Sequence, residues 1–190
     1  MDKRDLEQLL SNVADGSVAP ADALTRIQTA PTADLGFAQL DLSRGVRQGA
    51  GEVVYGAGKT AEQIAAIIEA LRDAGQEHVL VTRLDADKAA RTAELLDDNI
   101  DLGYVPDAQL ALVGGMPSPT GNGRIVVACA GTSDLPVAEE AALTAEFYGN
   151  EVDRLYDVGV AGLHRLLAHA EELAQAQVVI AIAGMEGALA

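Results

Sequence analysis

The sequence is poor in aromatic residues and in positive charge, and each shortage excludes a class of protein. Aromatic residues make up 3% of the 190 residues and tryptophan is absent, which argues against a carbohydrate platform or a base-stacking surface, since both need exposed rings. Thirteen basic residues against 29 acidic ones leave a formal charge of -16. Such a chain repels phosphate backbones and anionic lipids, so we expect no nucleic-acid partner and no membrane partner.

Cysteine and long apolar runs are equally scarce. Cys129 is the single cysteine, which excludes an internal disulfide and a zinc site built on several thiolates. Because it lies within an apolar strand pattern, we expect a small buried hydrophobe there and not a nucleophile. The longest apolar run, 178–183, is far shorter than the ~20 residues that span a bilayer, and the amino terminus lacks a secretory signal. The sequence therefore predicts a soluble, cytoplasmic protein.

The remaining composition is typical of a folded protein. Apolar residues make up 49% of the chain and charged residues 22%, which supplies a core and argues against general disorder. Leu6, Leu9, Leu10 and Val13 recur at helical spacing, and a second short helix is expected after Pro20. The amino terminus therefore predicts a helical hairpin that serves packing or assembly.

From residue 52 the pattern alternates between strand and helix. A short apolar strand precedes Gly56, Thr60 can cap a helix to about residue 74, and Asp85 or Asp87 can cap another to about residue 98. Further strands are expected over 78–82 and 108–113. Alternation of this kind implies parallel pairing through right-handed crossovers. We therefore predict a helical and small α/β domain over residues 1–113.

A run rich in glycine and proline, 114–123, follows this domain and predicts a linker, because it continues neither a helix nor a central strand. The segment 124–190 repeats the alternation more regularly and predicts a doubly wound parallel sheet, with strands over 124–130, 152–158 and 177–183 and helices over 135–148 and 162–174. The sequence stops three residues after Gly187, where a further helix should begin. We therefore expect this second domain to be incomplete at its carboxyl end.

The turn Gly56-Ala57-Gly58-Lys59-Thr60 invites comparison with a phosphate-binding P-loop. A P-loop needs a glycine five positions before Gly58, where this chain has Val53, and no later apolar strand ends in the magnesium-binding aspartate of such an ATPase. The P-loop is therefore disfavoured. Two interpretations stay open: a modest anion site formed by Lys59 and Thr60 at a helix N-terminus, or a tight turn with a solvated Lys59.

Polar residues follow each of the three strands of the second domain, so they should meet at the carboxyl edge of the sheet, the usual ligand crevice. After the first strand, Gly131 permits close approach of a ligand, Thr132 and Ser133 offer hydroxyls, and Asp134 can accept a hydrogen bond from a ribose hydroxyl. The alternative is that Ser133 or Asp134 only caps the following helix.

The turn after the second strand offers a different set of groups. Asp157, Gly159 and Gly162 let the loop lie close to a ligand. His164 can carry a proton, and Arg165 can clamp an anion.

The turn after the third strand is Gly184-Met185-Glu186-Gly187. Glu186, between two glycines, is a candidate acid or base whose pKa burial could raise. The alternative is a solvated first-turn glutamate that favours the helix dipole. Three turns that converge at one edge support a ligand site more strongly than any single turn does.

These runs together resemble the LarB family from about residue 41 onward. The resemblance is carried by residues 52–60 with Glu62 and Gln63 in the first half, and by 130–134, 136–141, 157–162 and 183–189 in the second. The second half is also similar to the aminoimidazole ribonucleotide carboxylases of purine synthesis. Those enzymes carry a Gly-Ser-x-Ser-Asp turn where this chain has 131–134, and a Ser-Ala-His-Arg turn that His164 and Arg165 echo. The resemblance implies a flavodoxin-like second domain.

The resemblance implies a carboxylase of nickel-pincer cofactor synthesis, the pathway of lactate racemase maturation. Its substrate would be nicotinic acid adenine dinucleotide, with CO2 or bicarbonate supplying a second carboxyl group at pyridinium C5 and phosphoanhydride hydrolysis releasing AMP. By analogy, Glu186 or His164 would move the C5 proton. The three turns would bind the substrate through Gly131, Thr132, Ser133, Asp134, Asp157, Gly159, Gly162, Arg165, Gly184 and Met185. Mg2+ or a similar divalent cation could assist, and a homo-oligomer with sites near subunit contacts is implied.

The family's nucleophilic cysteine lies beyond the position where this chain ends, and Cys129 does not match it. A fragment is therefore the expected explanation of the missing nucleophile. Two other functions stay open: an aminoimidazole ribonucleotide carboxylase-like enzyme, and a non-catalytic nucleotide-binding module.

Overall fold

The computed structural model describes residues 3–28, 32–42, 44 and 51–190, which form a mixed α/β structure. Within these ranges the chain begins with helices α1 (Lys3–Ala14) and α2 (Pro20–Gln28), and both predicted helices are confirmed, whereas their packing as a hairpin stays a prediction. A two-stranded antiparallel sheet of β1 (Thr32–Asp34) and β2 (Gln39–Asp41) follows. The sequence pattern did not indicate this sheet.

A four-stranded sheet occupies the rest of the first half. Its strands are β3 (Val53–Tyr55), β4 (Val79–Thr82), β5 (Leu102–Val105) and β6 (Leu110–Val113), and its helices are α3 (Ala61–Asp73) and α4 (Ala86–Leu95). The strand order is β3-β4-β6-β5. Helix α3 begins with a capping box between Thr60 and Gln63, and Asp85 caps α4 through the Lys88 N–H, as local signals of this kind require.

The prediction of parallel pairing throughout the first half is wrong for β6. Strand β3 pairs parallel with β4, but β6 pairs antiparallel with both β4 and β5. The physical reason is that α4 leads into β5, which the sequence analysis missed. A short turn, Pro106–Ala108, then reverses the chain so that β6 inserts between β4 and β5. Strands β4 and β5 both run opposite to β6. Strands β3, β4 and β5 therefore all run in the same direction, as predicted for strands connected by helices.

The second half forms a three-stranded sheet. Strands β7 (Arg124–Cys129), β8 (Glu151–Leu155) and β9 (Val178–Ile182) are all parallel, in the order β8-β7-β9. Helix α5 (Leu135–Phe147) packs on one face, and α6 (Leu163–Leu167) and α7 (Ala170–Gln175) pack on the other. The helix predicted over 162–174 is therefore two helices, because a tight turn from Leu166 to His169 breaks it.

Helix α5 is shared by the two larger sheets. Ala138 and Ala142 are fully buried and pack with Cys129 of β7, whereas Phe147 packs with Leu80 on the outer face of the first sheet. The helix is thus apolar on two sides, which is expected of a helix enclosed between layers. The predicted division of the chain at 114–123 stays a prediction. Along the described residues, no helix is long and apolar enough to cross a bilayer.

Candidate functional site

The three turns that follow β7, β8 and β9 lie side by side. The Gly159 N–H donates to the Ala130 carbonyl at 3.0 Å, and a Cβ built on Gly159 would lie 2.7 Å from that oxygen. On the other side, the Ala130 N–H donates to the Ile182 carbonyl at 3.0 Å. The turn after β7 is therefore flanked by the turns after β8 and β9. This is the point where the strand order reverses, which is where open parallel sheets place ligands.

Asp134 connects the first and third turns. Its Oδ2 accepts a hydrogen bond from the Gly131 N–H at 3.1 Å, and a Cβ built on Gly184 would lie 3.4 Å from its Oδ1. Asp134 precedes α5, but within the described chain its side chain makes no capping hydrogen bond to that helix. Thr132 and Ser133 are exposed beside it. The carboxylate therefore orders the loop and makes no capping hydrogen bond to α5, and the choice between a ligand site and a purely structural role for Ser133 and Asp134 stays a prediction.

The second turn is closed by an ion pair between Arg165 and Asp157. Asp157 has a left-handed backbone, with φ 57°, and a Cβ built on Gly162 would lie 2.7 Å from the Arg165 Nε. Arg165 therefore lies against the turn, and the Asp157 carboxylate already compensates its charge. His164 is exposed in the first turn of α6, where it is open to a ligand.

The third turn holds Glu186 in an unusual backbone conformation. Its φ is 39° and its ψ is 5°, a left-handed conformation that non-glycine residues seldom adopt. Both Glu186 and Met185 are exposed, the latter to 83%. The structure thus places Glu186 on the same edge as Asp134 and the Asp157 turn, facing solvent.

Cys129 lies beneath these turns and is fully buried. Its thiol lies 3.7 Å from the Gly131 carbonyl, to which it donates. Burial raises the pKa of the Cys129 thiol above its ordinary value, and this outweighs a hydrogen bond with the Asp157 backbone that lowers it; the nearby carboxylates of Asp134, Asp157 and Glu139 also raise it. A raised pKa keeps the sulfur protonated at neutral pH, so it is a poor nucleophile. The prediction of a buried hydrophobe is confirmed.

A polar network that the sequence analysis missed joins β8 to α5 just before this edge. The Tyr156 hydroxyl donates to Glu139 Oε1 at 2.8 Å, and Arg154 donates to Glu146 at 2.6 Å and to Glu139 at 3.3 Å. Burial, and then the hydrogen bond to Glu139, raise the pKa of Tyr156. Arg154 lies in β8 and Tyr156 directly follows the strand, so these side chains, two residues apart, point to the same side. The two-residue spacing of Arg154 and Tyr156 was the signal in the sequence from which this network could have been expected.

The turn at 56–60 in the first half keeps its polar groups engaged with the protein. The Lys59 ammonium donates to the Tyr55 carbonyl at 3.2 Å. The Thr60 hydroxyl accepts from the Gln63 N–H at 3.2 Å as the cap of α3. The choice between an anion site and a plain turn stays open on these contacts alone.

A metal site is not preformed in the described part of the chain. No group of three histidine, cysteine or acidic side chains lies close enough together there to hold an ion. A divalent cation would therefore find no cluster of three such side chains at this edge, and these residues do not fit a dedicated metal site built from them.

Two comparisons with known proteins identify relatives of this chain. Residues 32–114 match the family model described as the LarB/PurE-like N-terminal domain. An uncharacterized protein of Methanocaldococcus jannaschii is 36% identical to this chain over 157 residues, which are 80% of this chain and 60% of that protein. The chain therefore spans about 60% of the length of the curated relative that it matches.

Proposed function

This chain is related to the LarB and PurE-like proteins through its residues 32–114, and from that relationship we propose that it belongs to a carboxylase acting on a nicotinate nucleotide. The proposed reaction adds CO2, or bicarbonate as its source, at C5 of the pyridinium ring of nicotinic acid adenine dinucleotide. Hydrolysis of the phosphoanhydride then releases AMP. The product would serve nickel-pincer cofactor synthesis.

One observation carries the proposal: the turns after β7, β8 and β9 adjoin, with Ala130 bonded to both of its neighbours. A ligand at this edge would meet the Thr132 and Ser133 hydroxyls and the Asp134 carboxylate together. These groups suit the hydroxyls of a ribose. The arrangement also supports assigning the second half to the flavodoxin-like, aminoimidazole ribonucleotide carboxylase-like fold.

The chemistry requires the electron-poor ring to become a nucleophile first. A thiolate that adds to the pyridinium ring forms a carbon–sulfur bond and leaves a dihydropyridine, whose C5 attacks CO2 as an enamine carbon. A base then takes the C5 proton, the electron pair returns to the ring, and the thiolate leaves. Glu186 or His164 would take that proton. Cys129 is unsuited to be the thiolate, because it is buried and its pKa is raised.

The remaining expectations from the resemblance are part of the same proposal. Mg2+ or a similar cation would be held chiefly by the substrate's phosphates, since the described residues offer no cluster of three ligands; we assign it no step. Assembly as a homo-oligomer is proposed on the resemblance. Among the described residues β9 is an edge strand, and its Val178 and Val179, 50% and 46% exposed, are compatible with further cover.

A second candidate is carboxylation of aminoimidazole ribonucleotide, favoured by the similarity of the turn 131–134 to that enzyme family. The test uses the intact gene product with 13C-bicarbonate, Mg2+ and one of the two nucleotides. We expect the 13C label to appear in a pyridinium mononucleotide, with one AMP released for each labelled carboxyl group. Label only in the aminoimidazole product would support the second candidate, and ligand binding without turnover would leave a nucleotide-binding module.

Two substitutions connect the test to the site. Glu186→Gln should lower turnover far more than binding, because it removes a base and keeps the shape of the side chain; unchanged turnover would remove Glu186 from the mechanism. Asp134→Asn and Ser133→Ala should weaken nucleotide binding with little change in melting temperature. A fall in melting temperature without a loss of binding would show that these residues only stabilise the turn.

A further inference from the structure

Two of the chain's three lysines converge on one short turn of the first sheet. The Lys59 ammonium lies 3.2 Å from the Tyr55 carbonyl, and the Lys88 ammonium lies 3.1 Å from the next carbonyl, that of Gly56. Asp85 lies 3.5 Å from Lys88, whereas no carboxylate is seen paired with Lys59 among the described residues. The two ammonium groups lie beside neighbouring carbonyls of one turn, and both positive charges attract an added anion. In a chain of net charge -16, this concentration of positive charge is unusual.

This turn adjoins the carboxyl end of β4, where a Cβ built on Gly56 would lie 3.4 Å from the Arg83 carbonyl. It follows β3, and Arg83 follows the adjacent strand β4. The Arg83 Nε lies 2.9 Å and 2.7 Å from the two carboxylate oxygens of Glu140 on α5. Glu140 is six residues after Asp134, which is about 9 Å along a helix. The carboxyl edges of the first and second sheets therefore border each other across the first turns of α5.

The two edges differ in charge. Each of the three turns of the second edge carries one carboxylate, of Asp134, Asp157 and Glu186 respectively, and Arg165 is paired with Asp157. Such an edge suits a cationic ring and repels a diphosphate. A dinucleotide whose ring lies there needs cations for its phosphates, and the first sheet carries Lys59 and Lys88.

We propose that Lys59 and Lys88 bind the diphosphate bridge of the dinucleotide whose pyridinium ring lies at the second edge. The inference rests on the proposed function for the identity of the ligand. On binding, each ammonium exchanges a neutral carbonyl acceptor for a charged phosphate oxygen, which is the stronger hydrogen bond. The first sheet would then hold the phosphates of the substrate and the second sheet its reacting ring.

The experiment measures the dissociation constants of inorganic pyrophosphate and of nicotinic acid adenine dinucleotide by calorimetry at low salt. The variants are Lys59→Ala and Lys88→Ala. Arg124→Ala is the matched control, because it also removes one positive charge but lies at the start of β7, at the opposite end of that strand. Each lysine variant should weaken both ligands about tenfold, and the control should change either by less than about twofold.

A second pair of variants separates binding from a structural role of the lysines. Lys59→Arg keeps the charge and should restore most of the affinity that Lys59→Ala loses. Melting temperatures of all variants are measured in parallel, and orthophosphate serves as a probe for a single phosphate. Orthophosphate should bind more weakly than pyrophosphate, because it engages fewer oxygens at once.

The outcomes distinguish this inference from the proposed function. If the wild-type protein binds the dinucleotide and Lys59→Ala and Lys88→Ala bind it equally well, the lysine site is wrong and the proposed function stands. If pyrophosphate binding depends on the lysines but the dinucleotide does not bind, the lysines bind the diphosphate of another ligand. The proposed substrate is then wrong. Absence of binding by both probes overturns both.

Discussion

The four-stranded sheet of the first half and the three-stranded sheet of the second half are covered to different extents. In the first sheet, Val81 faces α3 and α4 and Leu80 faces α5, and both are fully buried. In the second sheet, β9 leaves Val178 50% exposed and Val179 46% exposed. Both sheets bury their central strands, since Val126 and Val127 of β7 are also fully buried, but among the described residues β9 is an edge strand with exposed side chains beside the polar turns. The first sheet thus serves packing, and the second carries the proposed site as well.

Helix α5 connects these two roles. Its first residues follow the turn that holds Asp134, and its last residue, Phe147, packs on the first sheet. The first sheet carries none of the three turns of the candidate site. Through its contact with α5 it nevertheless helps to fix the position of that site. Changes at this helix should show how far the two halves depend on each other.

The largest effect is expected from Phe147→Ala. Phe147 is 7% exposed and fills the contact with Leu80 and Leu110, so truncation should lower the free energy of unfolding by about 3–5 kcal/mol. Urea denaturation measures the change. Val178→Ala, at a half-exposed position of the second sheet, is the control and should cost about 0.5 kcal/mol or less.

The single cysteine extends this experiment to the second sheet. Cys129 is buried, so a thiol reagent reacts with it only when that sheet opens. If the halves are coupled through α5, Phe147→Ala should speed this reaction as well as destabilise the fold. An unchanged rate at Cys129 would mean that the second sheet holds together without the first.

A smaller effect is expected from adding a methyl group between the turns that follow β7 and β8. In Gly159→Ala, the new methyl group would lie 2.7 Å from the Ala130 carbonyl, and backbone cannot yield as a flexible side chain does, so a cost of about 1–3 kcal/mol follows. Gly103→Ala in β5 is the control, because its methyl group would meet Leu112 at an ordinary 3.7 Å. Melting temperatures compare the two, and equal stability would mean that the turns are not tightly packed.

A pH-dependent effect is expected from Tyr156→Phe. The pKa of Tyr156 is raised in the folded state, first by burial and then by the bond to Glu139, above the ordinary value of 10.0. Its contribution to stability is therefore complete below pH 10.0 and is lost as the pH rises toward the folded-state pKa, because the unfolded chain releases the proton first. Melting temperatures from pH 8 to 11 should fall less steeply in Tyr156→Phe. Parallel curves for the two proteins would contradict the raised pKa.

The smallest effect is expected at the ion pair between the halves. Arg83 is 46% exposed, so solvent screens its interaction with Glu140, and a double-mutant cycle of Arg83→Ala and Glu140→Ala should give about 0.5 kcal/mol of coupling. The pair Arg91 and Glu94, both more exposed, provides the comparison and should couple less. If the coupling energy of Arg83 with Glu140 exceeded that of Phe147 with Leu80, the ion pair and not the apolar packing would be the main link between the two halves.

Local signals predicted most of the helices and strands correctly. Thr60 and Asp85 cap α3 and α4 as their sequence positions required, because a cap depends only on the residues of one turn. The prediction failed at β5, where Leu102 and Tyr104 alternate before Pro106. A strand followed by a short proline turn is typical of a hairpin, so the signal for an antiparallel β6 was present and was read as a crossover.

Long-range features were beyond sequence reasoning. The meeting of the three turns follows from a general rule for parallel strands, and so it could be expected. Which side chains bond across them could not, because the pairs Tyr156 with Glu139 and Arg165 with Asp157 depend on exact register and rotamer. The double role of α5 was hidden as well, since an apolar pattern on two sides does not tell which sheet each side contacts.

The two-sided helix has a consequence for how the protein is made. Residues 53–113 leave the ribosome before Phe147 does, so Leu80 and Leu110 lack their cover while the nascent chain grows. The early half is then a partly folded species with a bare apolar face, the type of surface that chaperones recognise. Completion of the early half therefore waits for translation of the later one.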